Sequence, residues 1–424
     1  MTKESDSEQR LIQPVRGTKD LLGADEQLHR YVIDTAERVA ACYEFEGIST
    51  PIFEYTHIFQ RSLGETSDIV GKEMYTFKDR GGELITLRPE GTAAVCRAVI
   101  SNGLTQSLPL KFIYSGPMLR YERPQKGRLR QFHQAGVECL GPSVPIADVE
   151  VIAMGYQILK ELGLADDVTL QLNSLGDKES RANYRTALVE YFSKYTSNLS
   201  EDSQRRLQDN PLRILDSKEP QDAEIVNNAP LLSEFLNTES SEYYQQVKAG
   251  LDALGVPYQH NDHLVRGLDY YNHTAFEFVT DKLGAQGAVL AGGRYNGLVE
   301  ELGGPDIPAV GWALGIERLA LMIDQVPSKP RAIAFVPVGE EAQSWAVPII
   351  AKLRNAGVHV HYAYSGNMAK RMKKANKSGA WLAVIVGEDE LKASKATVRD
   401  LDTGEQEQVE FARLEEFLSS SKAP

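Results

Sequence analysis

Cysteine is scarce: the chain has three in 424 residues, Cys42, Cys96 and Cys139, far apart and without a CxxC pair. That set builds neither a disulfide framework nor a cysteine zinc site, and the apolar neighbours of each thiol make burial the expectation. Long apolar runs are missing too. No stretch reaches about 18 apolar residues, and the opening MTKESDSEQR is polar and charged with no apolar segment behind it, so a cytoplasmic chain is expected. Positive charge is not in excess. With 46 Lys and Arg against 59 Asp and Glu the net charge is −13, which excludes the broad basic surface on which general nucleic-acid coating depends. The two commonest phosphate cradles, GxxxxGK[ST] and a GxGxxG turn after a strand, do not occur. Any nucleotide must then be held by side chains, and any polyanion by local patches.

What is present is enough for a large core. Hydrophobic residues make up 42% of the chain, and a prior of roughly 150 residues per domain gives two or three domains. Helical spacing runs from Ala24 to Tyr43, and ISTPIFEY reads as a short strand interrupted by Pro51. Glu73 to Arg88 reads as a hairpin over an Asp-Arg-Gly-Gly turn, with a helix opening near Pro89. LKFIYSGPMLRYE and QFHQAGVECLG predict an antiparallel pair with a long basic tip. A helix over Asp148 to Leu162 and the strand VTLQLNSLG follow, and then a stretch dense in Glu, Lys, Arg, Gln and Ala predicts a helical insertion. Strand signal returns at HLVRGLDYYNHTAFEFV. The linker PSKP precedes alternating strands and helices, the pattern of a separate α/β domain. The expected boundaries are 1–176 and 257–326 for one divided domain, 177–256 for the insertion, and 331–424 for the last domain.

Two stretches carry unusual chemistry. Gly116 to Glu138, GPMLRYERPQKGRLRQFHQAGVE, packs Arg120, Arg123, Lys126, Arg128 and Arg130 against Glu122 alone. Side chains two apart share a strand face, so Arg120 falls with Glu122, and Phe132, Gln134, Gly136 and Glu138 fall together, Gly136 leaving space between polar groups. A solvated hairpin with an arginine-rich tip is the plain alternative. In LVRGLDYYNHTAFEFV, Arg266 and Asp269 interrupt what otherwise reads as a buried strand; buried charges are costly unless paired or used, and a structural salt bridge is the plain alternative there. AGGRYNGL alone reads as a glycine turn. Leu314, Glu317 and Leu321 follow helical spacing, beside an Arg318 that either reaches a phosphate or pairs with Glu317. His260 with His263, and His359 with His361, have metal-like spacings without a third ligand nearby, so no metal site is expected.

In this order and at these separations, TPIFEY, TLRPEGT, MLRYERPQKGRLRQFHQAGVE, LVRGLDYYNHTAFEFV, AGGRYNGL and AVGWALGIERL strongly resemble the class II aminoacyl-tRNA synthetases, and among them the histidyl-tRNA synthetases. The resemblance implies an α+β fold: an antiparallel class II sheet with flanking helices, a helical insertion and a C-terminal α/β anticodon-binding domain. It implies a homodimer with Pro51 near its interface. The implied activity is ATP-dependent ligation of L-histidine to tRNA(His) through a histidyl-adenylate, with Mg2+ bound to the ATP. By the same resemblance Arg120 and Arg266 are the catalytic cations at the α-phosphate, Arg266 also touching the histidine. Glu122 orients Arg120 or contacts the nucleotide, Phe132 stacks on adenine, and Arg318 holds the far phosphates. Glu90, Thr92 and Gln134 suit the ammonium of histidine, Glu138 and Tyr271 its imidazole, and Tyr295 the pocket lining. Arg123, Gln125, Lys126 and Arg128, with Lys373 and Lys374 in the last domain, are expected to meet tRNA. Leu129 stands where the family frequently has tyrosine, and Asn296 where aspartate is usual. The alternative from another class is the histidine-binding regulatory paralogue of ATP phosphoribosyltransferase, which lacks the last domain and the catalytic residues.

Overall fold

The computed structural model describes residues 12–64, 69–217, 219–265, 267–268, 270–284, 287–325 and 328–421. The chain divides into two compact units, 1–326 and 327–424. In the first, β1 (Glu46–Gly47), β2 (Phe53–Tyr55), β3 (Tyr75–Lys78) and β4 (Leu84–Leu87) precede the long hairpin of β5 (Leu110–Leu119) and β6 (Gln131–Leu140). Then come β7 (Thr169–Ser174), β8 (Gln259–His260), β9 (Asn272–Val279), β10 (Ala288–Arg294) and β11 (Ala309–Gly315). Among the described residues these form an eight-stranded sheet, β1-β5-β6-β11-β10-β9-β7-β8, and a small sheet, β2-β4-β3. The edge strands β1 and β8 run parallel to their neighbours and the inner pairs are antiparallel.

The period of two along β6 decides what each face does. Val137 and Cys139 join a helical layer formed by Ala24–Cys42, Pro145–Glu161 and Thr238–Leu254, which leaves Gln134, Gly136 and Glu138 on the opposite face. Proline at the first position starts Pro145–Glu161, where its missing N–H costs nothing. The last helix of the segment expected as an insertion, Thr238–Leu254, places Tyr244, Val247 and Leu251 in the sheet's own core. Periodicity could not separate it from its neighbours, because a helix buries an apolar stripe in the same way whichever body it packs on.

Several local readings change. Strand β9 begins only at Asn272; the apolar look of the residues before it comes from Tyr270 and Tyr271, buried against one another at 4.6 Å between ring centroids. Arg266 and Asp269 lie outside the described residues. Gly292 and Gly293 lie inside β10 and are not a turn: a Cβ on Gly292 would come within 2.2 Å of Gly311 O on β11. Leu314 belongs to β11, and the helix that carries Glu317 is short, Ile316–Ala320. Cys96 and Cys139 are buried, but Cys42, at the end of its helix, is exposed.

The second unit has its own five-stranded sheet among the described residues: β12 (Ile333–Pro337), β13 (Val360–Tyr362), β14 (Leu382–Val386), β15 (Lys395–Asp400) and β16 (Gln406–Glu410), ordered β13-β12-β14-β15-β16. β13, β12 and β14 are parallel and the remaining pairs antiparallel. Glu340–Asn355 and Phe411–Ser420 supply Ala346, Ile350, Leu353, Leu414 and Leu418 to its core.

One buried ion pair holds the middle of the first unit. Arg294, at the end of β10, pairs with Asp148 in the first turn of Pro145–Glu161, both fully buried, and donates to Pro142 O at 2.9 Å; Tyr243 Oη donates to Asp148 at 2.8 Å. Removing one partner strands the other charge in the core. Arg294→Ala is expected to cost about 3 to 5 kcal/mol of unfolding free energy in urea titration; a loss under about 1 kcal/mol would mean that water reaches the pair.

Candidate active site

The face of β6 opposite the helical layer is built around Glu138. Its side chain is 1% exposed and accepts from Thr92 Oγ1 at 2.7 Å, from Tyr114 Oη at 3.4 Å and from Tyr295 Oη. Space for this group comes from missing side chains. A Cβ on Gly311 would lie 2.1 Å from Glu138 Oε2, and one on Gly136 would lie 2.4 Å from Tyr114. The gap expected over Gly136 is therefore filled: Tyr114, opposite Gly136 in the β5–β6 register, covers it. Burial pushes the Glu138 carboxyl up to about 8, with the Glu90 carboxylate adding to the rise and the hydroxyls of Tyr295, Thr92 and Tyr114 opposing it.

Beside it, Glu90 sits at the start of helix Thr92–Ser101 and accepts from Thr92 N at 2.6 Å and Ala93 N at 2.9 Å. A carboxylate there meets the positive end of the helix dipole. Burial nevertheless raises the Glu90 pKa, against the pull of those N–H groups. Gln134 adds a third acceptor side chain on this face. It lines a cavity of about 210 Å³, and its buried Oε1 has no hydrogen-bond partner among the described residues. An unpaired acceptor in a cavity wall is costly unless a ligand supplies the donor.

The same cavity is also lined by cations, Arg120, Arg128 and Arg318. Arg120 Nε donates to Pro89 O at 2.9 Å and the guanidinium lies 5.3 Å from the centre of the Phe132 ring. Arg318 donates to Gly127 O at 3.2 Å and to Ala288 O at 2.6 Å. Burial lowers the Arg318 pKa, and the nearby charges of Arg128 and Arg120 lower it further. Three guanidiniums sharing one wall are poised for an anion. Glu122 pairs with Arg128 and not with Arg120. Arg318 does not pair with Glu317 either, since both Glu317 oxygens accept from His133 N, at 2.9 and 3.0 Å, and Oε1 also contacts His133 Nδ1 at 2.8 Å. That contact fastens β6 to the helix carrying Arg318.

The family model described as histidyl-tRNA synthetase matches residues 17–319, and one described as an anticodon binding domain matches residues 332–421. This chain belongs to the histidyl-tRNA synthetase family. It is 56% identical to a histidine–tRNA ligase of Gluconobacter oxydans, over 97% of this chain and 99% of that one. To the corresponding ligase of Gluconacetobacter diazotrophicus it is 55% identical, over 96% and 98%. Among solved structures it is similar to apo histidyl-tRNA synthetase of S. aureus, with a TM-score of 0.82 and 38% identity, covering 97% of this chain and all of that one.

Within this synthetase fold, Glu90, Thr92, Arg120, Glu122, Phe132, Gln134, Tyr271 and Arg318 all line the one cavity, while Glu138 and Tyr295 are not in its wall: both are buried, hydrogen-bonded to one another, and Glu138 reaches the lining residues Thr92 and Tyr114. Arg128 also faces the cavity, unlike the exposed Arg123, Gln125 and Lys126 of the same loop. Tyr114 and Tyr270 are cavity residues that motif spacing did not single out. The one available signal for Tyr114 was a tyrosine facing a glycine across a hairpin. Leu129 lines the cavity wall. Asn296 instead supports Arg294 and accepts from Ala309 N at 3.2 Å, so its lost charge falls beside the buried ion pair. In the second unit, Lys373 and Lys374 are exposed on Met368–Lys377, but Arg371 is only 4% exposed and donates to Ala363 O at 2.7 Å and Gly366 O at 2.8 Å. Its guanidinium is therefore held by the preceding loop and is not exposed beside those lysines.

The protonation of Glu138 has a measurable sign. The folded chain keeps this proton up to about 8, whereas an ordinary glutamate releases it near 4.5, so the stability it contributes is present below 4.5 and is lost as pH rises to about 8. Across that window the unfolding free energy of Glu138→Gln should improve steadily relative to the parent, then stay level above it. A difference independent of pH in urea titrations would refute the buried, protonated carboxyl.

Proposed function

We propose that this chain activates L-histidine with ATP and transfers it to tRNA(His), using the cavity on the Glu138 face for both small substrates. The observation that carries this reading is the lining of that one cavity, which brings acceptors for an amino acid and guanidiniums for a polyphosphate together. Gln134 Oε1 and the Glu90 carboxylate are the acceptors for the ammonium, beside Thr92. Glu138, with Tyr271 and Tyr295, suits the imidazole, because a carboxyl held near 8 and an imidazole near 6.5 can share one proton between them at neutral pH. A site that pairs both ring nitrogens rejects analogues lacking them, since its own buried groups would be left unpaired.

In the first step a carboxylate oxygen of histidine attacks the α-phosphorus of ATP and pyrophosphate leaves. Charge accumulates at the α-phosphate, where Arg120 and, by the family resemblance, Arg266 stabilise it in place. Phe132 offers its ring to the adenine, and Arg318 and Arg128 counter the remaining phosphates. Mg2+ suits the nucleotide's own phosphates and not a protein cage, because Glu122 is committed to Arg128 and Glu317 to His133. In the second step a hydroxyl of the terminal tRNA ribose attacks the carbonyl carbon of the adenylate and AMP leaves. The exposed Arg123, Gln125 and Lys126 suit the acceptor end, and Lys373 and Lys374 the anticodon side.

A homodimer is supported by the small sheet. The alternation in β2 exposes Phe53 and Tyr55, and Phe77 and Leu84 are exposed on its neighbours, an apolar area that a second copy would cover. No helix among the described residues is long and apolar enough to cross a membrane, and a translation enzyme of this composition belongs in the cytoplasm. The regulatory paralogue is not favoured: Arg120 and Arg318 line the cavity and residues 332–421 match the anticodon-binding family.

Pyrophosphate exchange measured with each of the twenty amino acids is expected with histidine alone; equal exchange with proline or threonine would sink the assignment. Reversing charge at Lys373 and Lys374 should weaken tRNA binding and reduce its salt slope by about one for each phosphate that is no longer neutralised. Filter binding from low to high salt checks this, and an unaltered slope would remove these lysines from the tRNA interface.

A further inference from the structure

Tyr271 stands one residue before β9, outside the strand's ladder of backbone bonds. Its carbonyl needs a donor from elsewhere, and finds one on a helix far away in sequence: Arg181 Nη1 donates to Tyr271 O at 2.8 Å. A second arginine of the same helical segment acts alike, Arg213 Nη2 donating to Gly267 O at 3.1 Å. Both arginines line a small cavity of about 30 Å³ with Val265, Leu268 and Tyr271, behind the main one and not in its wall. Arg181 is firmly based. Its helix, Lys178–Ser193, is capped by Asp177, which accepts from Ser180 N at 2.8 Å and from Asn237 Nδ2 at 2.7 Å, and Asn237 in turn caps the core helix Thr238–Leu254. The held backbone is not one that sustains itself. His273, two residues on, has φ 45°, the left-handed region that side-chain-bearing residues seldom adopt, and its N–H is tied to Gly176 O at 2.8 Å.

We propose that Arg181, seconded by Arg213, is a positioning residue for the amino-acid pocket: reaching from the helical segment, it fixes the backbone at Tyr271 and thereby the pose of the Tyr271 ring towards the substrate. This rests on the reading that Tyr271 faces the histidine. Tyr271 packs edge-on to Tyr295 at 6.4 Å between centroids, and Tyr295 bonds Glu138, so a shift of the Tyr271 backbone loosens the groups read as facing the histidine, whereas Arg120 and Arg318 are held by other carbonyls, those of Pro89, Gly127 and Ala288. A residue that only stabilised the fold would weaken the binding of both substrates together.

The test compares Arg181→Ala, Arg181→Lys and Arg213→Ala with the parent full-length enzyme. In pyrophosphate exchange, Arg181→Ala should raise the KM for histidine about tenfold while the KM for ATP stays within about twofold; the lysine variant, keeping one donor, should recover most of the loss, and Arg213→Ala should show a smaller rise. Amide hydrogen exchange over residues 270–276 should quicken in Arg181→Ala. An unchanged histidine KM with unchanged amide exchange overturns the proposal. So does a parallel rise of both KM values in the alanine and lysine variants, which would make Arg181 a general stabiliser. If the parent shows no histidine-dependent exchange, the reading of the substrate fails instead, and the amide exchange still decides whether Arg181 holds Tyr271.

Discussion

A carboxyl group buried in the middle of a sheet face is the constraint around which the first unit is arranged. Glu138 tolerates its position only because hydroxyls from three separate elements reach it and because the neighbouring strand carries glycine where a side chain would collide. Each requirement propagates. Tyr295 must follow β10 at the right height, and β10 is held by the Arg294–Asp148 pair on the sheet's other side. Thr92 must stand at a helix start, where Glu90 satisfies the first N–H groups.

The same face carries the opposite polarity a short distance away. In a chain with net charge −13, the guanidiniums of Arg120, Arg128 and Arg318 share a wall, and burial with mutual repulsion makes that cluster costly without an anion. Glu122 offsets part of it through Arg128. The fastening of His133 to Glu317 keeps Glu138 and Arg318 in fixed register, since one residue lies on the strand of Glu138 and the other next to Arg318. A reaction that joins a carboxylate to a phosphate needs both kinds of group, and the rigid sheet supplies the alignment.

Much of this was legible in the order of residues. The hairpin with its basic tip, the helix after Pro89, the divided sheet and the second α/β unit follow from periods of two and of 3.6 and from glycine and proline placement, which are local properties. The cavity residues Glu90, Thr92, Arg120, Phe132, Gln134, Tyr271 and Arg318 were recognisable because motif order reflects a shared site. Local pattern misled where tertiary packing took over. The glycines of AGGRYNGL look like a turn but serve a central strand, because the neighbouring backbone crowds them. The run before Asn272 looks like a strand but owes its apolar character to two tyrosines packed against one another.

The sequence by itself determined which elements form, that the nucleotide must be held by side chains, and which family of sites the motifs compose. Only the tertiary structure decided the partners. That Glu122 takes Arg128, that Glu317 takes His133, that Arg371 is consumed by its own loop, and that Arg181 reaches Tyr271 all depend on contacts between residues distant in the chain. Hydrogen bonds and ion pairs are short-ranged and directional, so a residue's type states what it can pair with, while the fold alone brings one particular partner within about 3 Å.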